Sequence, residues 1–448
     1  MKRFLPFLIL LLILSLTVVA CGGDEEEPTA QATTAPEVEE PTEEPVEVPA
    51  AYVCSDAIGC VDIAPGDPLK LATLQAISGP VVNLGTDQNR AVEIALDNRN
   101  NEFRGHPITL QTEDDLCSAE GGTTGSQKIL ADPQVVAMIG TSCSGAGVPA
   151  SEAFSEAGVL MISGSNTSPS LTAVGYFSDA GPSSATAFSP GYFRTAHNDE
   201  FQGRAAALFA LEELGLTKAA TIHDGDPYTE GLATAFGESF AEFGGEWVLA
   251  TAINKEDTDM TPVLTSVAAA GAEVIFYPIF EPAGNFITLQ ARGVEGLEDV
   301  ILFGADGLLS ATFFENVGEE GQGMYFSGPG QPDNPGYADL DEKYQAKFGE
   351  PFSQAFHARS YDAANMILEA VDKVVVEDAD GTLHIPRQAL IDAMYGLTGF
   401  DGLTGMLSCN KFGDCANPLI SMMRFDDVDA GVTGVLGNVI KIIDFGEN

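Results

Sequence analysis

The chain has 448 residues and carries 66 Asp and Glu against 20 Lys and Arg, a formal net charge of −46 at pH 7. A surface this acidic repels nucleic acid and anionic lipid, which excludes both as partners held through a basic patch. The roughly 400 residues that follow the first fifty are too many for one ordinary core, so two lobes are expected.

The amino terminus reads as an export signal. Lys2 and Arg3 precede an apolar run over 4–19, and Val18-Val19-Ala20-Cys21 sets small residues before a cysteine, the pattern of a bacterial lipoprotein signal. On this reading 1–20 is removed and Cys21 becomes the lipid-bearing amino terminus, anchoring the chain to the cell membrane on its extracytoplasmic side, in the periplasm or at the outer surface. An uncleaved anchor or an ordinary secretory signal are the alternatives, and both keep that location. Residues 22–50 hold ten acidic residues, no Lys or Arg, and prolines at 28, 36, 41, 45 and 49. Such a segment has too little apolar surface to offset its ordering entropy. Proline and self-repelling charge keep it extended at roughly 3 Å per residue, so 21–50 is a tether.

Seven cysteines fit an exported chain. With Cys21 lipidated, six remain: Cys54 with Cys60 and Cys409 with Cys415 are close pairs, and Cys117 and Cys143 are left to each other, giving a framework of three disulfides. Cys-x5-Cys without a nearby His pair is poor zinc spacing, so no metal is expected.

From residue 68 onward, short β-like runs alternate with amphipathic helical ones: strands at 69–75, 108–113, 135–139 and 159–163, helices at 86–98, 119–130 and 149–157. This is the rhythm of a parallel sheet with helices on both faces. After a loop-rich stretch at 166–191 it restarts, with strands at 218–223, 247–253, 274–278 and 300–303 and helices at 228–243 and 261–270. A helix over 360–374 and strands near 422–425 and 435–443 complete the two lobes. Ligands of such sheets bind at the carboxyl ends of strands, and the loops there carry hydroxyls, glycines and aromatic rings with few charges. That chemistry suits a small polar solute.

Catalytic and nucleotide motifs fail. Gly140-Thr141-Ser142-Cys143-Ser144-Gly145 has the spacing of a phosphate loop, but Ala146 and Gly147 stand where lysine and a hydroxyl residue are needed. No Gly-x-Ser-x-Gly elbow, zinc-protease motif or dinucleotide fingerprint occurs. The run 377–381 lacks the remaining ligands of a calcium loop.

Several of these loops carry a family pattern. Ile139-Gly140, Cys143-Ser144, Pro149-Ala150-Ser151, the run 158–163 and Thr167 closely resemble the leucine/isoleucine/valine-binding proteins of bacterial ABC importers. Ile77-Ser78-Gly79-Pro80, Ile222-His223-Asp224 with Tyr228, and Phe303-Gly304-Ala305-Asp306-Gly307 extend the likeness over 68–445. The resemblance implies an α/β fold: two doubly wound parallel-sheet lobes of type I periplasmic binding protein architecture joined by a three-crossing hinge. One lobe would span 68–195 and 328–408, the other 196–327 and 409–448, with 51–67 a disulfide-containing lead-in. The implied function is capture of a branched-chain or other amino acid for a membrane permease, with no enzymatic step and no cofactor, by a monomer. A receptor of the same fold that reports amides, urea or another solute is the runner-up, and an exported hydrolase a remote third.

Carried over by motif, Ser144 and Thr167 would take the ligand carboxylate, Ser165 and Asn166 would line that side through the main chain, Asp306 would face the α-ammonium and Tyr228 would wall the pocket. Turn or helix capping is the competing role for Ser144, Thr167 and Asp306. Leu84 stands where the family tends to have an aromatic residue, and Phe280-Glu281 replaces a tyrosine-rich pair. Glu281 would select a polar or cationic group or else point to solvent. The Cys117/Cys143 pair matches a disulfide of the family, whereas the other two pairs and the loop 178–191 are additions.

Overall fold

The computed structural model describes residues 52–446; the export signal, Cys21 and the whole tether lie outside them. Two sheets organise the chain. In the first, the spatial order is Glu102–Phe103, His106–Asp114, Leu69–Gln75, Val135–Gly140, Leu160–Ser163, Tyr192–Arg194. All neighbours run parallel except the short edge strand. Strands of this kind are buried on both faces and read as near-continuous apolar runs, as Val135–Gly140 does.

Successive side chains divide between the faces. Leu69 and Leu71 pack with Val92, Ala363, Ile367 and Val371 from the helices Val82–Asp97 and His357–Val374. Ala72 and Leu74 pack with Ile129, Ala150 and Phe154 from Ala119–Leu130 and Ser144–Glu156. Thus a helix more than 250 residues downstream of the first strand covers one face of its sheet.

The second sheet runs Glu246–Ala252, Lys218–His223, Val274–Phe276, Ile301–Ala305, Tyr325–Pro329, Leu419–Arg424, Val439–Asp444. Its first five strands are parallel and the last two antiparallel. A stacked aromatic row, Phe236 on Phe276 at 4.3 Å with Phe303 edge-on, fills one face.

Between the sheets the chain crosses three times, at 195–198, 330–335 and 408–418. The crossings are tied to one another. Thr195 donates from its hydroxyl to the Arg359 carbonyl at 2.8 Å, and Arg359 donates to the Gly330 carbonyl at 3.0 Å. Arg194, with a fully buried side chain, pairs with Asp414 at 2.5 Å and donates to the carbonyls of Asn166 and Ser168.

Three disulfides are present: Cys54–Cys60, Cys117–Cys143 and Cys409–Cys415. The lead-in carries a strand of its own. Cys60–Ile63 pairs antiparallel with Leu383–Pro386, burying Val61 and Ile63 against the first lobe's core.

Two expected elements are corrected. The helix expected at 149–157 is Ser144–Glu156, and Pro149 lies inside it. Proline favours the first helical position, whereas Pro149 is the sixth residue of this helix and leaves the Gly145 carbonyl without its N–H donor. The strand expected at 435–443 begins at Val439, because Gly431–Gly437 is helical.

Candidate functional site

Both sheets reverse their strand order at one edge of a shared cleft. Leu69–Gln75 has later strands on each side, and so does Lys218–His223. The loops leaving such strands diverge and open a crevice at their carboxyl ends. A narrow cavity lies there, lined by Pro80, Val81, Asn83, Leu84, Ser142, Ser144 and Ser165 from the first lobe. Tyr228, Phe280, Glu281, Asp306, Gly307 and Ser310 face it from the second, with Gln354 and Phe356 from the run before His357–Val374. Leu84, Ser144, Ser165, Tyr228, Phe280, Glu281 and Asp306 are thereby brought together, while Asn166 and Thr167 lie behind the lining.

One end of the cavity suits an anion. The helix Ser144–Glu156 starts without a side-chain cap and without an acid in its first turn, so its leading N–H groups carry partial positive charge. Ser144 accepts the Ser168 N–H at 3.2 Å on its hydroxyl, which keeps its own proton to donate. The helix start is braced from behind by the Cys117–Cys143 disulfide and by Asp115, which accepts the N–H of Cys117 and of Ser142, each at 2.7 Å. Burial pushes the Asp115 carboxyl up to about 7.

Ser165 and Asn166 spend their side chains on this framework. The Ser165 hydroxyl donates to the Ser142 carbonyl at 2.7 Å. Asn166 donates to the Thr141 carbonyl and accepts from the hydroxyls of Thr141 and Tyr192. Their main-chain N–H groups both donate to the Ser163 hydroxyl, at 3.2 and 2.9 Å, and the Asn166 carbonyl accepts from Arg194, so Asn166 is fully committed to the framework.

The other end suits a cation. Asp306 accepts from the Gln202 amide at 2.5 Å, and Gln202 also donates to the Ser327 hydroxyl at 3.0 Å. The Gln202 oxygen faces His197 Nε2 at 2.5 Å, and since that oxygen only accepts, the ring carries its proton there. Burial holds His197 neutral, its pKa pushed down to about 3. Burial pushes the Asp306 carboxyl up to about 6.

Beside Asp306 sits Asp199, fully buried, with neither carboxylate oxygen accepting a hydrogen bond. Burial and the neighbouring Asp306 charge hold its carboxyl well above the usual range. The Thr167 hydroxyl, also buried, is likewise without a partner, although the Thr167 carbonyl accepts the Asp199 N–H at 2.9 Å. Neither Asp199 nor Thr167 lines the cavity, and the Thr167 hydroxyl faces the Asp199 carboxyl, opposing the effect of its burial.

The walls are aromatic and aliphatic. The rings of Tyr228 and Phe280 lie 5.1 Å apart, and the Tyr228 hydroxyl accepts the Gly307 N–H at 3.1 Å. A Cβ on Gly307 would come within 3.1 Å of both rings, so this close stack favours glycine. Leu84 packs with Phe356 and Ala196, taking the position of the missing aromatic residue. Glu281 lines the cavity and accepts from Ser310 and Thr312 at 2.6 Å each and from Asn285 at 3.0 Å.

Asp199, Gln202, Asp226, Gln354 and Phe356 were absent from the sequence-based set. Asp226-Pro227 is legible as a helix cap and first helical residue, and Asp226 does accept the Tyr228 N–H at 2.9 Å. Its position against Gly145 across the cleft has no sequence signal. Among the described residues no group of His, Cys, Asp and Glu is placed to hold a metal ion, and no helix is long and apolar enough to cross a membrane.

Two wound lobes with a narrow cleft at their switch points define the type I solute-binding architecture. The family described as periplasmic binding protein matches residues 68–432, and the chain belongs to it. It is 26% identical over 373 residues to the Leu/Ile/Val-binding protein homolog 3 of Brucella melitensis, covering 83% of this chain and 94% of that one. To the Leu/Ile/Val/Thr-binding protein of Salmonella typhimurium it is 27% identical over 360 residues, covering 80% and 91%. The fold is that of a leucine-binding protein of Thermotoga maritima, with a TM-score of 0.70, 21% identity and coverage of 85% and 100%. A solute-binding protein of R. palustris solved with benzoate shares it too, at a TM-score of 0.65, 18% identity and coverage of 85% and 96%. The protein is therefore a substrate-binding protein, and its family works outside the cytoplasm.

Proposed function

We propose that this protein is the lipid-anchored receptor of an ABC importer, that its solute is an α-amino acid, and that it performs no chemistry on it. The observation that carries the reading is the dipolar cavity. An uncapped helix start with Ser144 lies at one end, and the Asp306 carboxyl lies at the other. A zwitterion complements both ends at once. A carboxylic acid without an ammonium, such as the benzoate of the R. palustris protein, would leave the buried Asp306 carboxyl without a cationic partner.

In the reading favoured here, ligand binding shifts an open/closed equilibrium, because contacts to both lobes form only when they meet. The closed form would then dock on a permease, with the chain acting as a monomer held by lipid at Cys21 and spaced from the membrane by 22–50. The runner-up, a receptor for amides or urea, would use the anion end poorly.

Mass spectrometry of solute released by denaturing the purified protein tests the ligand. An amino acid is expected; an aromatic acid or a urea-like solute would overturn the reading. Replacing Cys21 by Ser should release the protein from membranes, and retention of the variant there would refute the lipid anchor.

A further inference from the structure

Resting on the amino-acid reading, we infer that the ligand carries a second positive charge on its side chain and that Glu281 is the residue that selects it. Glu281 lines the same cavity as Asp306 and Ser144. Its carboxylate is fixed by Ser310 and Thr312 at 2.6 Å, by Asn285 at 3.0 Å and by Asn316 at 3.4 Å. All four donors are neutral, and two of them belong to the start of the helix Ala311–Val317. They hold the carboxylate in place, and no described Lys, Arg or His pairs with it.

A second observation points the same way. Asn285, whose amide N–H binds Glu281, is buried with its own oxygen unpaired. The wall around Glu281 thus presents a fixed negative charge with an open acceptor next to it. The clamp at Asp306 and Ser144 is matched by the two charges of any amino acid, so a neutral side chain would leave the Glu281 charge facing the closed cleft uncompensated. A side-chain ammonium or guanidinium compensates it. Since the four hydrogen-bonding positions of the carboxylate are occupied, the selection acts through charge at short range, which the low dielectric of a closed cleft strengthens.

The test is calorimetry on the full chain, stripped of bound solute by unfolding with its disulfides intact and refolding. L-ornithine, L-lysine and L-arginine are compared with the length-matched L-norvaline and L-norleucine. The cationic ligands should bind at least about tenfold more tightly than their neutral counterparts, and Glu281→Gln should shrink that ratio by about tenfold. Norleucine binding as tightly as lysine to the unaltered protein would overturn the inference while leaving the amino-acid reading standing, and this comparison does not depend on how the variant folds. An unchanged ratio in a folded Glu281→Gln protein would overturn the role of Glu281. If none of the five binds, the amino-acid reading falls and this inference falls with it.

Discussion

The Asp226 carboxylate lies where Gly145 would carry a side chain: a Cβ on Gly145 would come 2.1 Å from Asp226 Oδ2. Gly145 opens a helix of the first lobe and Asp226 caps a helix of the second. The missing Cβ thus sets how closely the lobes approach across the cleft. The Ser168 hydroxyl, which donates to the Pro227 carbonyl at 2.9 Å, marks the same approach.

Replacing Gly145 with Ala should hold the lobes apart. The Asp226 carboxylate cannot swing away freely, because its other oxygen accepts the Tyr228 N–H. Alanine is otherwise favourable inside a helix by about 0.5–1 kcal/mol relative to glycine, so stability should be kept while ligand affinity falls by roughly tenfold, a loss of about 1.4 kcal/mol. Calorimetry with solution scattering checks this; full affinity together with ligand-induced compaction would refute it.

At the cation end, Asp306→Asn keeps the shape and removes a charge. Losing one member of a buried charge pair typically costs about 2–5 kcal/mol. Thr167→Ala removes a neutral group and should cost less, on the order of 1–2 kcal/mol. Asp199→Asn should cost less than Asp306→Asn, since Asp199 does not line the cavity. Equal and negligible losses across the three would show that no ammonium binds here.

Stability should rise as pH falls from 8 towards 5. Burial raises the folded pKa of Asp115 to about 7 and those of Asp306 and Asp226 to about 6. Each therefore binds protons in the folded state at a pH where the unfolded chain, with an Asp pKa near 3.9, has released them. The folded state gains relative stability below these values and loses it as pH rises through about 6–7. Burial opposes but the hydrogen bonds to Asp62 and Asp378 raise His384, which acts in the same direction. His197 and His357, pushed down by burial to about 3 and about 4, oppose the trend by taking up protons only in the unfolded chain, so the carboxyls set the sign by outnumbering them. Thermal unfolding of the ligand-free protein across pH 5–8 checks the sign; a midpoint that climbs with pH would contradict it. Ligand affinity should move the opposite way, weakening below about pH 6 as Asp306 takes up a proton.

Arg194 should be among the costliest residues to truncate. Arg194→Ala leaves Asp414 without its cation and strips donors from two carbonyls beside the crossings. Breaking a buried pair from one side costs about 3–5 kcal/mol. Denaturant unfolding measures this, and a loss under about 1 kcal/mol, the scale of an exposed pair, would show that the pair contributes little.

By itself the sequence determined the local elements and the family. The strands 69–75 and 218–223 and the helices 119–130 and 261–270 are bounded as their apolar periodicity predicts, because hydrophobic alternation and caps are local signals. Seven residues that line the cavity were legible because their motifs sit at the carboxyl ends of predicted strands. Tertiary structure alone decided the rest. Asp199 and Gln202 follow an ordinary Asn198 cap in sequence, and their roles arise only because that helix turns its first residues towards Asp306. Phe356 reaches the cavity because the chain crosses back to cover the first sheet, some 280 residues after that sheet's first strand. Glu281 reads from sequence as a free carboxylate, yet its charge is held by side chains about 30 residues away. Burial, charge pairing and the approach of Gly145 to Asp226 depend on distant parts of the chain meeting, and no local pattern encodes such a meeting.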